Sequence, residues 1–160
     1  MNGRLPLFAL LLGLAGLLPF VGTGLGALGP SDGSARWLLA LLAYGAVILA
    51  FLGGVHWGFV LGGPSDRQVR WRLGFGVLPS LVGWVALLVP IFLRYPFAAE
   101  IGIGVEIAGF AGVMLAEQRL YRQQLMPAGY LWLRWGLSFV VITLLAIVLV
   151  LRLLGAHLYF

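Results

Sequence analysis

Five apolar runs of about 20 residues, parted by short charged or turn-forming stretches, leave this chain little freedom of fold class. A run of that length crosses the hydrocarbon layer as an α-helix, which satisfies its backbone polar groups internally. A soluble core is a poor alternative. Only 9% of the residues are charged and 62% are hydrophobic, where soluble domains carry about 25% charge. The expected fold is an all-α integral membrane bundle of five transmembrane helices, a single domain over residues 1–160. The expected helices cover about 5–29, 36–62, 71–93, 97–118 and 132–154.

Arginine placement gives an expected orientation. One side of the bundle receives Arg4, Arg67, Arg70, Arg72, Arg119, Arg122 and Arg134, and the other receives Arg36, Arg94 and Arg152. By the positive-inside rule the N-terminus is cytoplasmic and the C-terminus outside. The net charge of +5 then reflects orientation and lipid contact rather than nucleic acid. Aromatic residues near expected helix ends, such as Trp37, Trp71, Tyr95, Tyr130 and Trp132, fit an interfacial belt.

The first run is too long for a secretory signal core and lacks a small-x-small cleavage site, so it reads as a retained helix. Pro19 should kink it, with a neighbouring helix satisfying the freed carbonyl. Gly24-Leu25-Gly26-Ala27-Leu28-Gly29 matches a dinucleotide fingerprint only formally, because no strand precedes it and no acidic partner follows. Gly29 to Ser34 reads as a turn, and Arg119 to Leu131 as the longest polar segment, lying at the interface.

The second run holds a histidine, a tryptophan and five glycines between Ala50 and Gly63. Ala46, Ala50, Gly54, Gly58 and Gly62 recur every fourth residue, a row that lets another helix approach closely. His56 lies about 160–200° around the helix from Gly54 and Gly58, so packing and polar signals occupy different faces. The helix is expected to be central, with neighbours on both sides. A second small row, Ala108, Gly112 and Ala116, lies on the fourth helix.

Ionisable groups inside a bilayer are costly and usually face a partner or a cavity. Glu106 and Glu117 share a face of the fourth helix with Gly102, Gly109 and Val113. Glu106, about 12 Å deep, must be protonated, paired or beside water. Glu117 and Arg134 fall at one depth and are candidates for an ion pair. With His56, Trp57, Ser80 and Tyr130 they suggest a polar cluster in the cytoplasmic half, with Trp84 as its roof.

Motifs of known chemistry are missing. The chain has no cysteine, and its two histidines, His56 and His157, fall near opposite sides, so no metal site is expected. H-E-x-x-H does not occur.

Phe51-Leu52-Gly53-Gly54-Val55-His56-Trp57-Gly58 resembles the signature of the transmembrane protein 69-like family, small membrane proteins with a domain of unknown function. Leu78-Pro79-Ser80-Leu81-Val82-Gly83-Trp84 resembles its second motif, and Pro127 to Arg134 its third. Here Gly129 stands where that pattern has tryptophan, and Glu117 where aspartate is usual. The resemblance implies an inner-membrane location, bacterial or, in a eukaryote, mitochondrial, and no established activity.

The first functional expectation is a non-enzymatic accessory or assembly protein packing against another membrane subunit, itself, lipid or quinone. No resident cofactor is expected, bound lipid or quinone aside, and no nucleic-acid partner. Two alternatives stay open: a small proton-coupled transporter using His56, Glu106 and Glu117, and an enzyme modifying a lipid or isoprenoid.

Overall fold

The computed structural model describes residues 7–29, 31–61, 69–93, 95–123 and 128–155. Among them the regular structure is all helical: α1 (Leu7–Ala15), α2 (Leu18–Ala27), α3 (Ser31–Leu61), α4 (Val69–Phe92), α5 (Ala98–Arg122) and α6 (Ala128–Leu153). Five stretches are long and apolar enough to cross a membrane: Leu7–Ala27, Gly33–Gly58, Leu73–Phe92, Ala98–Arg122 and Gly129–Leu153.

Two expected boundaries move. The turn expected over Gly29 to Ser34 is already helix from Ser31 onward, since serine and aspartate favour a helix start as readily as a turn. Of the polar segment expected over Arg119 to Leu131, the described residues are helical except Gln123. Arg119 and Arg122 sit in the last turn of α5, where positive charge complements the helix dipole, and Leu131 lies in α6.

The first span bends where Pro19 demands it. Proline has no N–H and clashes with the carbonyl four residues back. The regular helix is interrupted at Gly16 and Leu17, although Leu17 keeps near-helical backbone angles, and resumes as α2 with Pro19 in its first turn. A neighbouring helix meets the loosened backbone, as the Tyr44 hydroxyl of α3 donates to the Gly16 carbonyl at 2.9 Å. Phe20, just past the bend, packs edge-on against Tyr44 (4.8 Å between centroids) and Phe110 of α5 (6.1 Å).

The spans close into a ring in the order α2, α3, α4, α5, α6, with α6 returning to α2 and α3 touching α5 across the middle. Its centre is filled by Leu41, Leu42, Leu49 and Leu52 of α3, Ile103 and Phe110 of α5, and Leu145 and Val148 of α6. Glycines set the tightest approaches. A methyl on Gly83 of α4 would come within 2.7 Å of the Ala46 Cα, and Gly53 meets the Gly76 carbonyl across the same seam. Gly102 of α5 faces the Ala86 carbonyl, which Pro90, four residues on, leaves without its helical donor.

The expected packing row on α3 is therefore displaced. Ala46 touches α4, but Ala50, Gly54 and Gly58 are exposed, and a methyl at Gly54 or Gly58 would meet nothing. Gly62 lies outside the described residues. Within the chain, close approach falls to Gly53, because Gly76 and Gly83 of α4 stand opposite its face. So α3 has neighbours in α2, α4 and α5 and turns the face bearing Ala50, Gly54 and Gly58 outward.

Candidate functional site

α5 organises the polar interior. Glu100, Gly102, Ile103, Glu106, Phe110, Val113 and Glu117 are buried along it. Three acids therefore point into a bundle of apolar helices, and each meets a different environment.

Glu117 is fully buried and accepts from Arg134 Nε of α6 at 3.2 Å. The pair occupies the end of the bundle that carries the α5–α6 connection. Tyr130, one turn before Arg134, hydrogen-bonds the guanidinium and lies beside Glu117. Ser138, one turn beyond, is 2% exposed. The pair leaves capacity unused: Glu117 Oε2, Arg134 Nη2 and Ser138 Oγ are buried without a hydrogen-bond partner among the described residues.

At the opposite end, Glu100 accepts from Arg152 Nε at 2.8 Å, and Arg152 Nη1 donates to the Ala27 carbonyl at the end of α2 at 2.9 Å. Sequence reasoning missed this pair. The signal was present, because antiparallel helices in register through Glu117 and Arg134 bring Glu100 level with Arg152. The two pairs are about 26 Å apart along α5 at 1.5 Å per residue, close to the ~30 Å thickness of a hydrocarbon layer. Each pair thus falls near one edge of the layer, where charge is least costly.

Glu106 lies between them, fully buried, with no cation beside it among the described residues. Its carboxyl rests on the α3 backbone at Gly45 and Ala46, yet neither oxygen completes a well-formed hydrogen bond. The Gly45 side of α3 gives it room, since any side chain there would overlap the carboxyl.

His56 is buried at 5% exposure. The contacts Leu42 to Gly102, Gly45 to Glu106 and Leu49 to Gly109 set a parallel register between α3 and α5. That register brings His56 to the level of Ala116 and Glu117. The ring forms the base of a groove of about 430 Å³ between α4 and α5. Phe75, Leu78 and Pro79 make one wall, and Ala108, Gly112 and Ala116 the other. The second small row thus lines an open groove, with nothing within contact of a methyl placed on Gly112.

The remaining cluster members scatter. Trp57 donates from Nε1 to the Leu73 carbonyl at 3.0 Å and lies over Gly76, fastening α3 to α4. Ser80 turns back on its own helix, donating to the Val77 carbonyl at 2.7 Å. Trp84, expected as the roof, is 58% exposed and faces outward. The α4 surface at Gly83, one residue earlier, takes the contact with α3, which rotates Trp84 away. His157 lies outside the described residues, and among the described ones no cluster of three metal-ligating side chains occurs.

A family model described as protein of unknown function (DUF3429) matches residues 5–150. Transmembrane protein 69 of Xenopus tropicalis is 44% identical over 86 residues, covering 50% of this chain and 32% of that protein. Transmembrane protein 69 of Mus musculus is 38% identical over 81 residues, covering 50% of this chain and 33% of that protein. The match spans about a third of the length of these curated relatives. No solved structure matches.

Proposed function

For a chain that belongs to the DUF3429 family of proteins of unknown function, we propose a non-enzymatic accessory role in the membrane, packing against a transmembrane helix of another subunit. The observation that carries this reading is the groove between α4 and α5. Its small row, Ala108, Gly112 and Ala116, is the pattern that lets a helix approach closely, and a buried imidazole supplies a hydrogen bond across such an interface. The outward row of Ala50, Gly54 and Gly58 on α3 offers a second face of the same kind. The end bearing the α5–α6 connection is taken as cytoplasmic, from the arginine distribution.

A natural lack of cysteine makes the test direct. Single cysteines at Gly112, Ala116 and, as a control, Val140 on the exposed side of α6 are cross-linked in native membranes. A discrete heavier adduct from Gly112→Cys and Ala116→Cys, but not from Val140→Cys, is the expected result. Equal labelling of all three positions by lipid alone would refute it. A second reading rests on the groove's size, since about 430 Å³ also suits a lipid or quinone head group. In that case an apolar molecule co-purifies, Gly112→Cys and Ala116→Cys give no protein adduct, and His56→Ala abolishes retention of that molecule.

A further inference from the structure

A second crevice shares no lining residue with the groove over His56. It measures about 160 Å³ and lies among α1, α2, α3, α5 and α6. Leu12, Leu17, Phe51 and Phe110 give it apolar walls, and Arg134 and Ser138 give it one polar corner. Leu12 and Phe51 are 59% and 64% exposed, so the crevice opens toward the acyl chains.

The polar corner is a built one. Arg134 and Ser138 are 9% and 2% exposed, and Arg134 Nη2 and Ser138 Oγ are buried with hydrogen-bonding capacity unused among the described residues. An arginine nitrogen only donates, and the serine hydroxyl has a proton to give. Both are therefore met by an acceptor oxygen. The charge of Arg134 is already balanced by Glu117, so that oxygen need not belong to an anion.

Depth narrows the class. The span Gly129–Leu153 is about 37 Å long at 1.5 Å per residue, against a hydrocarbon layer of ~30 Å. Centred there, Arg134 falls about 4 Å inside the hydrocarbon edge. That is just beneath the acyl ester carbonyls and well below the phosphates, a gap the long arginine side chain spans. We infer that this crevice is a lipid site, in which the acyl ester carbonyl of a glycerophospholipid accepts from Arg134 Nη2 and Ser138 Oγ. Its chain lies along Leu12 and Phe51. Water would fill the same volume with about five molecules, but most of the wall offers it no hydrogen bond.

The test compares two lipids that differ only in the carbonyl. Detergent-purified protein is stripped of lipid and exposed to equal amounts of diacyl phosphatidylglycerol and its dialkyl ether analogue, and occupancy is read by native mass spectrometry. The diacyl lipid is expected to bind about five-fold more tightly, the worth of one hydrogen bond. Ser138→Ala should remove most of that preference. Leu12→Trp, at a lipid-facing position on the rim, should lower occupancy by both lipids and leaves the ion pair untouched. Equal binding of ester and ether lipids, or a preference unchanged in Ser138→Ala, would overturn the proposal and leave a crevice holding water only. Neither result bears on the cross-linking at Gly112.

Discussion

Replacing Glu117 with leucine removes the partner of a buried arginine and keeps the side-chain volume roughly constant. The acid is 0% exposed and the guanidinium side chain 11%, so neither charge is screened by water. Among the described residues Arg134 then keeps Tyr130 beside it. Leaving one buried charge uncompensated costs about 3–5 kcal/mol. Glu117→Leu should therefore destabilise the bundle by about 3 kcal/mol, toward the low end because a long arginine can reach for the membrane surface. Combining it with Arg134→Met removes the stranded charge, and the double variant should return to within about 1 kcal/mol of the parent. The coupling energy is then at least ~2 kcal/mol. Reversible unfolding in mixed micelles, followed through the six tryptophans, measures all four corners of the cycle. The outer pair is the internal control. Arg152 keeps the Ala27 carbonyl after Glu100→Gln, and its side chain is 20% exposed, so that variant should cost only about 1–2 kcal/mol. A double variant as unstable as the sum of its singles would refute the reasoning, as would equal costs at the two ends.

Two further outcomes follow from single contacts. Gly45→Ala sets a methyl against the Glu106 carboxyl and should cost about 1–3 kcal/mol; Glu106→Ala in the same chain should recover most of it, read from the same unfolding curves. Tyr44→Phe strips the bend at Gly16 of its donor and should cost about 1 kcal/mol, with faster amide exchange confined to the first span.

Membrane insertion was legible from run length alone, because apolar length is what a bilayer selects. The pairing of Glu117 with Arg134 was legible for a similar reason: depth follows from position along a helix, and two opposite charges at one depth have few other places to go. Rotation was not legible. Lipid tails are as apolar as a neighbouring helix, so no burial pattern says which small row faces protein. The regular row through Gly54 and Gly58 did not say whether its partner lay within the chain; the seam inside the chain runs through Gly53, because the matching glycines sit on α4. Trp84 misled for the same reason, since an aromatic ring is equally at home against lipid. Glu100 and Arg152 were overlooked because they lie near helix ends, where a charge needs no explanation until a register is known.

The hydrogen bond from Arg152 to Ala27 joins residues 125 positions apart. During synthesis the first span enters the bilayer and packs on α3 long before α6 exists, and the Ala27 carbonyl waits for its donor over the whole interval. Closure of the ring thus waits for α6. A ribosome that stalls before α6 would release a product whose opening hairpin still lacks its latch, and membrane quality-control proteases would find the fault there.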